Sequence, residues 1–475
     1  MPSGEHCFEL VVVANRLPVD RVESPDGSST WRQAPGGLVT ALRPVMRRAT
    51  GAWIGWSGSS QGDEEPFDHA RMHLIPLALS DKEVDQFYEG FSNTTIWPLY
   101  HDVITAPVYD RTTWAANVQV NHRFADAAAA TAATGATVWV HDYQLQLVPQ
   151  MLRSLRPDLR IGYFNHIPFP PYEIFAQLPW ARRVVEGLLG SDLVGFQRIA
   201  DANNFLRACR RSVGVATKSN RLTWKDQNGR SRTVMARAYP ISIDSDELNK
   251  AAQSDKCKKT IEKLRTEIGP RKVLLGVDRL DYTKGIRHRL AAYGELLDEG
   301  SLDPNKVVLV QIATPTRERV KAYMRIREDI ELLVGRINGD HSTLGRPAVH
   351  YLRTALPREE MPAMYQVADV MLVTALRDGM NLVAKEFVAC RPDERGVLVL
   401  SAFTGAADEL RQALIVNPHD IDGLKATILM ALRMQAREQR RRMRTMRKRV
   451  LAHDVTRWAQ TFIADLRSQD GVASP

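Results

Sequence analysis

The fifteen residues Val373-Thr-Ala-Leu-Arg-Asp-Gly-Met-Asn-Leu-Val-Ala-Lys-Glu-Phe387 decide how this chain folds. The run from Asp369 to Thr374 is apolar and β-branched, as a buried strand requires. A polar turn with Arg377, Asp378 and Gly379 follows, and helical spacing starts near Met380. A strand that feeds a helix N-terminus through glycine offers an anion free backbone N–H groups and the positive end of the helix dipole. Asp378 stands at the same mouth, placed to accept sugar hydroxyls. Glu386 lies further along the helix, placed to accept a pair of ribose hydroxyls. An Asp-Gly turn alone is common. The whole string suits a nucleotide-sugar, which needs N–H donors for pyrophosphate and carboxylates for two sugars.

Outward from this string the chain keeps alternating. Strand-like runs at Phe8–Ala14, Val138–His141, Ile161–Asn165 and Leu193–Phe196 are interleaved with helical patterns such as Leu145–Leu155. Further runs follow at Lys272–Gly276, Val307–Ala313, Ala348–Leu352, Val370–Thr374, Val397–Ser401 and Leu414–Val416, with a helix over Ile286–Leu297. Such alternation predicts an α/β fold with parallel sheets covered by helices. Ser219–Arg232 breaks the pattern with a hairpin turn at Asp226–Gly229. The strand Thr233–Ala238 then ends at Tyr239-Pro240, and Ile241–Asp246 reads as a linker. The expected domains are therefore 1–242 and 243–455, two Rossmann-like halves facing one cleft, with ligands at strand carboxyl ends. Residues 456–475 complete the chain as a helix whose Trp458, Phe462 and Leu466 form a packing stripe, expected to return to the first domain.

The 475 residues are 44% hydrophobic and 25% charged, which fits a globular protein. No apolar run approaches the roughly 18–20 residues of a membrane span. The N-terminus lacks the basic start of a signal peptide, so the expected location is cytoplasmic. Cys7, Cys209, Cys257 and Cys390 are scattered and read as reduced thiols. None of the twelve histidines belongs to an HExxH motif, so nothing calls for a protein-bound metal. Nearly all of the net charge of +9 comes from Arg433–Arg449, nine basic residues against Glu438 alone. A helix over Gln435–Leu451 with a solvated or phosphate-facing surface is the plain reading. Single-stranded nucleic acid would want aromatic residues among those charges, and there are none.

Three more strings carry chemistry. In Leu274–Gly285, Arg279 and Lys284 follow a strand and can neutralise a diphosphate. In Gly162–Pro171, His166 ends a strand before a proline-stiffened loop. Near the start, Arg16 ends the first strand, and Gly36-Gly37 lets backbone approach a ligand closely. Trp53, Trp56, Tyr88 and Trp97 offer flat faces to sugar rings.

Together these strings resemble the trehalose-6-phosphate synthase family of retaining glycosyltransferases, which have the GT-B fold. The resemblance runs from about Val11 to Leu466 and covers Val12–Arg16, Pro35–Leu38, Gly90–Asn93, Trp97-Pro98, His141–Tyr143, His166–Pro170, Asp278–Tyr282, Lys284-Gly285 and Leu376–Glu386. It implies transfer of glucose from a nucleoside-diphosphate glucose to glucose 6-phosphate, giving α,α-trehalose 6-phosphate, with no cofactor beyond the co-substrate. Arg279 and Lys284 would hold the diphosphate, with Gly37 and the amides around Asn381 and Leu382 as N–H donors. Asp378 would grip the donor glucose, Glu386 the ribose, and His166 would lie near the reacting centre. Arg16, Tyr88 and Arg317 would clamp the acceptor phosphate. Trp97 and Asp142 would position the acceptor sugar, with Trp56 close by. The chain departs from the family at Ala375, where many members have proline, and at Asn165, where they have an apolar residue. Both departures bear on donor preference, which the sequence leaves open between UDP, GDP and ADP. Oligomeric state is also open, although homo-oligomers are common in the family. The chain stops soon after its last helix, so a separate phosphatase is expected downstream. A cyclitol-joining transferase and a silent sugar-phosphate sensor are the alternatives. Against the sensor stand the intact Arg279, Lys284, Asp378 and Glu386.

Overall fold

The first strand, Phe8–Arg16, is buried from Leu10 to Asn15, on both faces, and strands flank it on both sides. It pairs in parallel with Ala52–Trp56 on one side and Ala132–His141 on the other. The computed structural model describes residues 8–23, 29–33, 39, 42, 46, 51–59, 64–225, 229 and 231–468. The chain divides into two compact units, one of Met1–Ile241 with Thr456–Pro475 and one of Ser242–Val455.

The first unit is built on a ten-stranded sheet. Its order from one edge is Thr217–Lys218, Arg221–Lys225, Ser231–Ala238, Leu193–Phe196, Arg160–Phe164, Ala132–His141, Phe8–Arg16, Ala52–Trp56, Met72–Pro76 and Phe67–His69. The middle is parallel, and both edges are antiparallel. The strand next to the first of these edges, Arg221–Lys225, alternates exposed with more buried positions, as one wet face requires. The sheet is built outward from Phe8–Arg16 in one direction, then resumes on the other side with Ala132–His141. The crevice beyond this reversal is where open α/β sheets bind ligands. Ala52–Trp56 is a fully buried strand, so Trp53, read from sequence as a flat surface for sugar, is a core residue instead.

The helix Val455–Arg467 packs on this unit. Trp458, Phe462 and Leu466 are all buried, and Phe462 stacks on Trp139 at 4.5 Å. Gly162 and Gly195 make room for it: a Cβ at either would come within 2.8 Å of the Phe462 or Leu466 side chains. Trp458 Nε1 donates to Tyr239 O at 3.1 Å, and Asp465 accepts from Tyr239 Oη at 2.7 Å.

The second unit carries six parallel strands in the order Val349–Leu352, Val307–Thr314, Lys272–Arg279, Val370–Val373, Val397–Ser401 and Leu414–Val416. Its reversal lies between Lys272–Arg279 and Val370–Val373. Only the start of the expected linker is irregular, since Asp244 already caps a helix over Ser245–Gln253. The basic helix spans Ala436–Ala452, and its charges are largely internal struts. Arg441 and Arg442 pair with Glu438, and Arg444 pairs with Glu394. Arg447 donates to Val388 O and Ala389 O, and Arg449 lies 3.8 Å from Glu409. Among the described residues no helix is long and apolar enough to cross a membrane.

Candidate active site

In the second unit the expected residues gather at the sheet reversal. The strand before the defining string ends at Val373, one residue early. Thr374 turns away, its hydroxyl bonded to Gly285 O at 3.2 Å and receiving Arg289 Nη2 at 3.1 Å. The helix starts at Leu382, two residues later than its spacing predicts. Asn381 sits in the left-handed region with φ 75°, which no helix continues. Its side chain caps the helix instead, accepting from Ala384 N at 3.1 Å. The same amide donates to Asp378 Oδ2 at 3.2 Å, so one residue both starts the helix and steers the carboxylate. Lys284 Nζ reaches that oxygen at 2.6 Å, a largely buried ion pair. Glu386 accepts from Tyr365 Oη at 2.7 Å, and burial raises its carboxyl above the ordinary range.

Arg279 and Arg317 share a counter-ion whose role the sequence did not reveal. Asp281 is fully buried, 4.0 Å from Arg279 and 3.5 Å from Arg317. Its Oδ1 accepts from Thr283 N and Oγ1, each at 2.9 Å, and its Oδ2 from Tyr323 Oη at 3.0 Å. Burial alone would raise this carboxyl, but Arg317, Arg279 and Lys284 outweigh it and hold it below the ordinary range. Arg317 also bonds Tyr323 and has φ 50°. The Arg279 side chain is 46% exposed, so solvent and solutes reach it, whereas Arg317 is 4% exposed. Underneath, Arg289 is fully buried and links Asp278, Gln311 and Thr374, fixing the ends of three adjacent strands.

The first unit gathers the others at its own reversal. Arg16 lies 4.9 Å above the Trp56 ring, held by Asp20 at 2.6 Å. Gly58, with φ 95°, leaves the space that the guanidinium occupies. Tyr88 meets Trp56 edge-on at 5.9 Å. It belongs to a helical segment whose middle, Val84–Ile96, is π-helical, a geometry frequent at functional sites. Trp97 is 4% exposed and packs on His101 and Tyr143. Asp142, with φ 75°, accepts from His166 N at 3.1 Å. His166 Nε2 lies 3.1 Å from His141 Nδ1. Asn165 is buried and satisfied, receiving Tyr163 Oη at 3.0 Å and donating to Ile167 O at 2.6 Å. Its polarity serves the core. Gly37 lies outside the described residues.

Asp20, Asp281, His141, Gly58, Tyr323 and Tyr365 were not singled out from sequence. Asp20 had a weak signal, four residues after Arg16. Tyr323 and Tyr365 had none, because only the fold brings them to their partners.

The family model for glycosyltransferase family 20 matches residues 8–468. A trehalose-6-phosphate synthase of Mycolicibacterium gilvum is 56% identical over 99% of this chain and 95% of its own length. A crystal structure of a UDP-forming α,α-trehalose-phosphate synthase from Burkholderia xenovorans, in complex with glucose-6-phosphate, is 36% identical. It superposes with a TM-score of 0.87 over 97% of this chain and 100% of that one. A structure from E. coli bound with UDP-2-fluoro glucose is 35% identical, with a TM-score of 0.87 over 98% and 99% of the two chains. With a match of this extent, in agreement with the strings read from sequence, the chain belongs to glycosyltransferase family 20.

Proposed function

We propose that this chain transfers glucose from UDP-glucose to glucose 6-phosphate, with retention, to give α,α-trehalose 6-phosphate and UDP. The observation that carries this reading is the pairing of Lys284 with Asp378 beside the Asn381-capped helix. That arrangement offers a cation for the leaving diphosphate and a carboxylate for sugar hydroxyls at one strand mouth. UDP as the nucleotide is favoured by the relatives described as UDP-forming and as bound to a UDP-sugar.

Arg279 and Lys284 hold the diphosphate, and the amides at Asn381 and Leu382 add N–H donors. Donor binding separates the Lys284–Asp378 pair, giving the cation to phosphate and the carboxylate to glucose. Glu386 receives the ribose, and His166 contacts the transferred glucose. Arg16, Tyr88 and Arg317 take the acceptor phosphate, while Trp97, Asp142 and Trp56 shape the acceptor sugar's place. The bond from the anomeric carbon to the phosphate oxygen breaks as the acceptor's anomeric oxygen attacks the same face. The acceptor proton passes to the departing phosphate oxygen. Charge grows on the diphosphate, where fixed cations and N–H dipoles lower the barrier most. The rest is positioning.

A cytoplasmic setting goes with this reading, since both reactants carry phosphate and do not cross membranes freely. The product keeps its phosphate, so a separate phosphatase must act to free the disaccharide. A donor panel tests the proposal, with kcat/KM measured for UDP-, GDP- and ADP-glucose at fixed glucose 6-phosphate. UDP-glucose should lead by at least tenfold, about 1.4 kcal/mol. A clear preference for another base would overturn the choice of nucleotide, and no turnover with any of them would overturn the reaction.

A further inference from the structure

The reaction as described gives no task to His141, a fully buried residue at the end of its strand. Its ring lies 5.3 Å from that of His166, inclined by 25°, with Nδ1 facing Nε2 at 3.1 Å. A neutral imidazole has one N–H and one lone pair, so a single hydrogen between the rings fixes both tautomers. Trp139 lies 4.6 Å from His141. Phe164 and Trp458 lie 4.6 and 6.1 Å from His166, so the pair is enclosed by apolar rings. Burial lowers both proton affinities, bringing His166 down to about 3, and the neighbouring His166 ring lowers that of His141 further.

The other nitrogen of His141 decides the direction. Among the described residues its Nε2 is buried without a hydrogen-bond partner. A hydrogen there would be an orphaned buried N–H, the rarest kind of unsatisfied group. With the hydrogen on Nδ1 instead, only a bare lone pair is enclosed, and Nδ1–H has an acceptor in front of it.

We propose that His141 is a positioning residue whose Nδ1–H donates to His166 Nε2 and locks His166 in the Nδ1–H tautomer. His166 is partly exposed, and its remaining ring nitrogen therefore meets a ligand as a donor. A glucose hydroxyl facing it must accept, which leaves that hydroxyl's own hydrogen for a second acceptor. The consequence for catalysis rests on the reading that His166 contacts donor glucose.

Two-bond ¹⁵N–¹H correlation spectra of histidine-labelled protein, without ligand at neutral pH, test the lock directly. The wild type should show His166 with Nδ1 protonated and Nε2 bare. His141→Leu should release it into a mixture of tautomers. In that variant kcat should fall about 10- to 100-fold, as for outer partners of a working histidine, with KM for glucose 6-phosphate unchanged. His141→Asn, which returns an N–H near the position of Nδ1, should restore the tautomer and most of the activity. A protonated Nε2 in the wild type, an unaltered tautomer in His141→Leu, or no rescue by asparagine would overturn the proposal. Activity of His166→Ala separates the two ideas. If that variant turns over normally, the glucose contact is wrong, while the spectra still decide the lock.

Discussion

Asp378 binds two partners through one oxygen, Lys284 at 2.6 Å and Asn381 at 3.2 Å. Replacing it by alanine removes the proposed grip on glucose and leaves Lys284 without its counter-charge. Steady-state assays of Asp378→Ala should show kcat reduced by about 100-fold or more, as loss of charged hydrogen bonds in a transition state implies. Circular dichroism should remain that of the parent, and near-normal turnover would remove this residue from the site. Asp281 is a different case, a buried carboxylate that balances Arg279 and Arg317. Asp281→Asn removes the buried negative charge that Arg279 and Arg317 share and should destabilise the second unit, by up to about 3–5 kcal/mol in urea. Phosphate-bearing ligands should raise Tm more in this variant than in the parent, because they return the missing negative charge. That Arg279, Lys284 and Asp378 stand at or just beyond strand ends was legible in the sequence, since their spacing from the apolar runs and glycines is local. Asp281 was not, because its meaning depends on Arg317 and Tyr323, which arrive from the loop after another strand and from a helix.

At the scale of elements, strands were legible and their ends were not. The runs Leu193–Phe196, Val397–Ser401 and Leu414–Val416 stand as read, whereas Phe8–Ala14 extends to Arg16 and Lys272–Gly276 to Arg279. In both extended strands the ladder carries on past the run that was read, through Asn15 and Arg16 in one and through Val277, Asp278 and Arg279 in the other. The defining helix starts late because a left-handed Asn381 interrupts it, a backbone feature no hydrophobic pattern reports. The final helix is held by aromatic stacking on Trp139 and by the room left at Gly162 and Gly195. Phe462→Ala should therefore cost about 3–5 kcal/mol, read from urea denaturation. Arg447 caps the carboxyl end of Leu382–Ala389, so the basic helix supports the proposed donor helix from behind.

Across the whole molecule, charge and acid sensitivity follow from where groups are buried. The surplus positive charge of the sequence is concentrated on Ala436–Ala452, where several arginines are paired within their own unit. His141 and His166 have folded proton affinities below the ordinary 6.5. Below that pH the unfolded chain binds more protons than the folded one. Their contribution to stability is thus full above about pH 6.5 and declines as the pH falls, in the case of His166 toward about pH 3. Urea midpoints at pH 7, 6 and 5 should fall accordingly, and His141→Asn should make the fall shallower. The central claim concerns chemistry, and one experiment addresses it most directly. Purified protein is incubated with UDP-glucose and glucose 6-phosphate, and the product is followed by ¹H and ³¹P NMR. The account predicts UDP and a phosphorylated disaccharide with both anomeric protons in the α configuration. A β linkage, or no disaccharide phosphate from a folded protein, would contradict it.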